Sequence, residues 1–192
     1  RDGPTRAAET AVFQEIYSLM TFNFGARLRL AGGLRLALVY RQEFQVPYAI
    51  ATQNLVGGNE LTIRIDARGL YTPHELILGA ALERSRLTLN LDLQYSFWSP
   101  WAGPFVRVEA ELLGAGTLAP PLPPPRYHDT LAVRAAVAGA VLRGTNFSLW
   151  LRAGAFFEPS FVGDQTGRTN QLDGDKIGLG LGFGLRWERI GP

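Results

Sequence analysis

DTLAVRAAVAGAV (129–141), NFSLWLRAGAFF (146–157) and KIGLGLGFGLRW (176–187) carry the alternation that decides the fold. In the first, Leu131, Val133, Ala135, Val137, Gly139 and Val141 occupy every second position. Phe147, Leu149, Leu151, Ala153, Ala155 and Phe157 repeat the pattern after the break Arg143-Gly144-Thr145. It returns as Ile177, Leu179, Leu181, Phe183, Leu185 and Trp187. A period of two sustained over about ten residues is the signature of a β-strand. Arg134, Arg152 and Arg186 all fall on the opposite parity. Strands of this length exceed the about 5–6 residues usual in globular sheets. One face without charge and one that is small or charged suit lipid on one side and a polar lumen on the other. The expected fold is all-β: an antiparallel transmembrane β-barrel.

The rest of the composition fits that expectation. Of 192 residues, 46% are hydrophobic and 19% charged, a balance in which lipid-facing and lumen-facing residues offset each other. No apolar run approaches the about 18 residues of a membrane helix. A net charge of +2 is too small to argue for nucleic acid. Cysteine is absent, which a bacterial envelope protein tolerates. The chain opens at Arg1 with neither Met nor an apolar leader, and reads as processed or partial.

Working outward, residues 1–12 read as a polar end or loop, 13–187 as barrel strands and 188–192 as a periplasmic tail. The first strand is expected over about Ile16–Leu30, the turn Ala31-Gly32-Gly33 next, then a strand with Leu34, Leu36, Leu38 and Tyr40 on one face. Residues 47–59 read as a longer loop. A third strand begins at Leu61, and its parity flips at Pro73, which reads as a kink or bulge within one long strand. Leu87, Leu89, Leu91, Leu93, Tyr95 and Phe97 form the next apolar face. WSPWAGP (98–104) flips parity again before Val106, Val108, Ala110 and Leu112. Merging the kinked pairs gives about seven long strands. Turns at 31–33, 83–86 and 143–145 are short, whereas 47–59, 113–128 and 158–176 are long, the asymmetry of periplasmic turns and extracellular loops. Arg27, Arg29, Arg35, Arg41, Glu43, Arg64, Asp66, Arg68, Asp92, Arg134, Arg152 and Arg186 all avoid the apolar parity. Lipid enforces that sorting, since an arginine facing it at the bilayer midplane costs roughly 2–4 kcal/mol.

Several segments, in order, resemble the C-terminal half of the FadL family of outer-membrane transporters for long-chain fatty acids and other hydrophobic compounds. They are Leu36-Ala37-Leu38-Val39-Tyr40-Arg41; Leu87 to Trp98 with Asp92 and Trp98-Ser99; Tyr127-His128-Asp129-Thr130; Leu151-Arg152-Ala153-Gly154; and Leu172-Asp173-Gly174-Asp175-Lys176 before GLGLG (178–182). The resemblance implies half of a fourteen-stranded barrel with an N-terminal hatch. The remaining strands or hatch would then come from a missing segment or another chain. It also implies the bacterial outer membrane, with the lipid bilayer and hydrophobic small molecules as partners. Neither the hatch nor the first half of such a barrel is recognisable in the sequence.

Candidate site residues follow from parity. Inward arginines could fork a carboxylate, and Arg41 and Arg152 are the first candidates; the plainer alternative is that such charges pair among themselves in a polar lumen. Trp150 and Phe156 point inward and could line an apolar path or pack against a hatch. Trp98, Trp101 and Trp187 suit interfacial girdles. GLGLGFG (178–184) lacks dinucleotide-loop spacing, and glycine facing the lumen would let a plug or ligand approach the wall. Asp164 with Asp173-Gly174-Asp175 does not match an EF-hand loop. The proline run 119–127 reads as a stiff loop. His74 and His128 join no catalytic constellation, so no catalytic residue, metal or cofactor is expected. The functional expectation is a passive channel component; the alternative is a structural anchor or scaffold. With about seven strands, the chain is expected not to close by itself, leaving its first and last strands to pair outside these residues.

Overall fold

The computed structural model describes residues 10–16, 20–56, 59–103, 105–112, 116–117, 126–163 and 173–187. Expectations for the rest of the N-terminal end, for Asp164, for most of the proline run and for the tail 188–192 lie outside the described residues. In chain order the strands are β1 (Thr10–Ile16), β2 (Asn23–Arg29), β3 (Leu34–Arg41), β4 (Phe44–Val56), β5 (Asn59–Thr72) and β6 (His74–Glu83). They continue as β7 (Leu87–Phe97), β8 (Phe105–Leu112), β9 (Gly116–Thr117), β10 (Thr130–Arg143), β11 (Phe147–Glu158) and β12 (Lys176–Trp187). The one helical element described is a single 3-10 turn, Ala31–Gly33.

These strands form two antiparallel sheets in two compact units. The small sheet has five strands in the order β1-β4-β5-β8-β9; the large sheet has seven in the order β12-β11-β10-β7-β6-β3-β2. The fold is therefore all-β and antiparallel, as expected. Among the described residues neither sheet closes on itself: β2 and β12 each have one neighbour.

The strand count differs from the expected one because each presumed kink is a passage between sheets. Pro73 is fully buried and separates β5 from β6. It has no N–H to give a ladder, and just before it Leu70 takes φ 47°. The segment 98–104 likewise separates β7 from β8; the strand expected over about Ile16–Leu30 is β2, and β1 is an additional strand that begins within the stretch expected as a polar end. Residues 47–59 are not a loop: most of them form β4 and pair with β5, with Pro47 opposite Arg68 beside a register shift between Phe44 and Val46. A bulge is a site where a strand admits proline.

Alternation fixes register in the large sheet. Leu38 lies opposite Leu78, Leu78 opposite Leu93, Leu93 opposite Val133 and Val133 opposite Phe157. Phe157 in turn faces Ile177. One side of the sheet is thereby apolar across every strand, with Phe24, Leu28, Leu36, Leu89, Leu91, Leu151 and Leu181 among its members. A bulge at Val141 brings Leu142 onto the same side, opposite Leu149. No Asp, Glu, Lys or Arg interrupts it.

That apolar side is exposed. Among the described residues only Ala67 and Ala132 are buried apolar side chains, together with Pro73. Leu78, Leu91, Leu151 and Leu179 all stand open. The short hairpin turns lie at one end of the large sheet. At Ala31–Gly33, both glycines have positive φ, and a Cβ on Gly33 would sit 2.0 Å from the Glu83 carbonyl oxygen, so no other residue fits.

Candidate functional site

The reverse side of the large sheet carries the chemistry. Alternation puts Arg41, Glu75, Gln94, Arg134, Arg152, Glu158 and Arg186 on it. Near the end where β3, β7 and β11 finish, five of these residues, Arg41, Glu75, Gln94, Arg134 and Glu158, form a ladder running across the strands. The Arg41 guanidinium donates to Glu75 at 3.1 Å, and the Gln94 amide donates to the other Glu75 oxygen at 2.8 Å. Arg134 donates to Gln94 Oε1 at 2.7 Å and to Glu158 at 3.2 Å. Lys176 Nζ bridges Glu158 at 3.2 Å and Asp173 at 3.3 Å. Charges alternate in sign across the sheet, with Gln94 relaying between Glu75 and Arg134. Glu75, 8% exposed, holds two donors, which compensate its desolvation. At the turn end Arg35 pairs with Glu83 and Arg143 donates to the Ser85 carbonyl.

Of the three aspartates weighed as oxygen ligands, the two described, Asp173 and Asp175, are engaged within the fold. Asp175 accepts from the Ser160 amide at 2.8 Å, and Asp173 from the Ser160 hydroxyl at 3.0 Å.

Arg152 and Arg186 differ from the ladder. Among the described residues neither has a carboxylate partner. Both line a groove of about 380 Å³ together with Thr88, Ala138, Trp150 and Gly184. Trp150 is held on this side by its indole N–H, which donates to Ser148 Oγ at 3.2 Å. Gly184 keeps the groove open below Arg152, whose Nη2 would lie 3.6 Å from a Cβ there. The groove therefore offers two guanidinium groups, an aromatic wall and the Thr88 hydroxyl.

Of the sequence candidates, Trp150 and Arg152 are brought together here. Arg41 is placed apart, paired with Glu75. Phe156 shares their side of β11 but lies over Gly178, where a Cβ would come within 1.9 Å of its ring. At Gly178 the glycine thus makes room for a neighbouring side chain of the same sheet. Sequence reading missed Glu75, Glu158 and Thr88 as members of this surface; Gln94 it placed inward by parity. Opposite charges at strand ends were a usable signal, but β7 pairs with β10 across the intervening β8 and β9, and that adjacency is not written locally.

Aromatic pairs mark both ends of the large sheet. Trp98 stacks on Phe161 at 4.0 Å, Tyr95 meets Phe97 edge-on at 4.8 Å, and Tyr40 shares a 2.9 Å hydrogen bond with His74. At the turn end Phe147 stacks with Trp187 at 6.1 Å. Trp101 belongs to the other unit and stacks on Tyr71 at 5.2 Å. Just ahead of β10, Asp129 accepts from the Tyr95 hydroxyl at 3.0 Å and the Ser99 amide at 2.9 Å. Desolvation alone would push its carboxyl up, but the hydrogen bonds from Ser99, Tyr95 and Trp98 outweigh that and hold it below its ordinary value. Compared with known proteins, the chain matches no family model, no curated protein and no solved structure.

Proposed function

We propose that the large sheet is part of the wall of a bacterial outer-membrane β-barrel, and that this wall conducts hydrophobic molecules such as long-chain fatty acids. One observation carries the reading: an uninterrupted apolar side, open across every strand, backed by a side of ordered charge. In water such a surface would be an aggregation hazard; in lipid it is the favourable side. Twelve-residue strands such as β11 and β12, tilted by about 45°, rise roughly 28 Å, close to a hydrocarbon core. Aromatic pairs at both ends fit the interfacial girdles of such barrels.

Transport needs no bond made or broken here. The groove beside Trp150 suits an amphipathic molecule, whose carboxylate would meet Arg152 and Arg186 while its chain lies on the indole. Arg41, already paired with Glu75, serves better as part of the wall than as a headgroup anchor; Phe156 extends the apolar lining over Gly178. Arg152→Gln and Trp150→Ala are expected to lower fatty-acid uptake several-fold in cells whose outer membranes contain a normal amount of folded protein. Arg41→Gln should lower it less. The self-neutralised ladder favours one second reading, a scaffold wall with no cargo. Unchanged uptake in the folded Arg152 and Trp150 variants would select it.

A further inference from the structure

The two ends of the large sheet carry opposite charge. At the short-turn end, the segments 29–35, 83–87, 143–147 and 185–187 hold six arginines and one glutamate, a net charge of +5. At the other end, 41–42, 74–75, 126–129, 158 and 173–176 hold five carboxylates and three cations, a net charge of −2. The whole chain is only +2, so its positive charge is concentrated at the turns. A potential graded along the strands draws anions toward the turn end, and low-dielectric walls focus it.

The groove leads into that gradient. Arg152 stands in the row opposite Gly182. Its guanidinium nevertheless lies over Gly184, one row nearer the turn end, with Nη2 3.6 Å from a would-be Cβ. In the next row, Ser148 of β11 is flanked by Arg143 on β10 and Arg186 on β12. Arg186 thus lines the groove and also belongs to the row beyond it. Successive rows on one side are about 6.8 Å apart, and two strand spacings put the Arg143 and Arg186 backbones about 9.6 Å apart. Long side chains cover both spans, so a carboxylate held by Arg152 and Arg186 can pass to Arg186 and Arg143 without leaving a cation. From there Arg143 reaches the turn 84–86, where it donates to the Ser85 carbonyl between the exposed Arg84 and Arg86. Arg84 lies over the adjacent turn, its Nη2 3.5 Å from a would-be Cβ on Gly32. Arginine takes a carboxylate with two parallel hydrogen bonds. The opposite end offers no such file, since Arg41, Arg134 and Lys176 already hold carboxylates of the sheet.

We propose that Arg143, Arg84 and Arg86 form a second anion site, which receives the carboxylate of an amphipathic ligand from the groove and delivers it at the turn end. Arg186 belongs to both sites and makes the transfer continuous. The second site serves ionised carboxylates and gives no advantage to an uncharged molecule of the same chain length. The inference rests on the wall and groove readings, and adds the direction of travel and the charge class of the ligand.

The test compares uptake of radiolabelled oleate and oleyl alcohol by cells that carry the protein in the outer membrane. The variants are Arg143→Gln and the double variant Arg84→Gln/Arg86→Gln, with Arg143→Lys as the conservative control, each checked for its heat-modifiable band. The double variant, in an exposed turn, keeps the test open should Arg143→Gln fail to assemble. Oleate binding at the groove is followed in the purified assembly as the tryptophan quenching that Trp150→Phe removes. Expected is a several-fold loss of oleate uptake in both glutamine variants, with oleyl alcohol uptake and groove binding unchanged and partial recovery in Arg143→Lys. Unchanged oleate uptake in the folded glutamine variants overturns the proposal. So does an equal loss for oleate and the alcohol, the mark of a merely structural role, or a loss of groove binding that matches the loss of uptake. Any of these leaves the wall and groove readings standing. If Arg152→Gln leaves oleate uptake unchanged, or the chain is absent from the outer membrane, the groove or the wall reading fails and this inference with it.

Discussion

The two sheets of this chain are built from the same alphabet and dressed for different surroundings. On the small sheet, register sets Arg64 opposite Glu109 and Asp66 opposite Arg107. Its apolar residues Ile50 and Ile65 lie opposite one another, Ile63 lies opposite Thr52, and all three isoleucines are half-buried. Leu70, beside the passage at Pro73, is the one exposed large apolar side chain among the described residues of its strands. On the large sheet the proportions invert: leucines and phenylalanines stand open, and on the other side a ladder links charges from Arg41 on β3 to Lys176 on β12. Burial against the protein's own interior does not explain the large sheet, because it has almost none. The contrast therefore locates the driving force outside the chain for one sheet and within ordinary sheet pairing for the other.

The sharpest way to break that comparison is to put a charge on matching positions of each sheet. Leu91→Arg, at the centre of the apolar side between Ala80 and Ala135, is expected to cost roughly 2–4 kcal/mol if lipid covers it. Ile65→Arg on the small sheet, which carries no open apolar side like that of the large sheet, should leave membrane insertion intact. The readout is the heat-modifiable gel band in outer-membrane fractions. Equal loss for both variants would erase the distinction between the sheets.

A smaller effect sharpens the comparison on the charged sides. Arg134 is bonded to both Gln94 and Glu158, so Arg134→Ala strands two acceptors and should cost roughly 1–3 kcal/mol in urea unfolding from detergent. Arg64 has a single long contact, 3.4 Å to Asp66, and its side chain is 58% exposed. Arg64→Ala should cost no more than about 0.5 kcal/mol. If the two variants unfold alike, the ladder is an assortment of independent surface pairs.

What the sequence made legible divides along the same line. Strict alternation in β10, β11 and β12 revealed strand type, sidedness and the placement of Arg134, Arg152 and Arg186, because a sheet with one apolar and one charged side leaves no latitude on either parity. The small sheet was harder to read. In β4, Pro47 and the polar run Gln53-Asn54 look like loop, and only pairing with β5 makes them strand. Pro73 announced a break but not that its two sides join different sheets. The groove was half legible: parity placed Trp150 and Arg152 together, whereas Thr88 and Arg186 reach it through neighbours that only the three-dimensional pairing reveals.

The smallest effect concerns the end of the large sheet, where Asp129 ties the β7 end to the start of β10. Its carboxyl is held below its ordinary value by donors from Ser99, Tyr95 and Trp98. A carboxyl depressed in the folded state contributes stability that is complete above the unfolded value of about 3.9 and is lost as pH falls through the folded one. Acidification should therefore lower the thermal midpoint of the wild type more than that of Asp129→Asn, which has no such proton to take up. The gap between them should be widest above about pH 5 and should close as pH falls through the folded value. Protease cleavage on acidification should begin near 98–100 and 126–130, the segments that Asp129 joins. A gap that stays constant with pH would mean that Asp129 works through shape rather than charge, and that this end of the sheet is held by the stacking of Trp98 on Phe161.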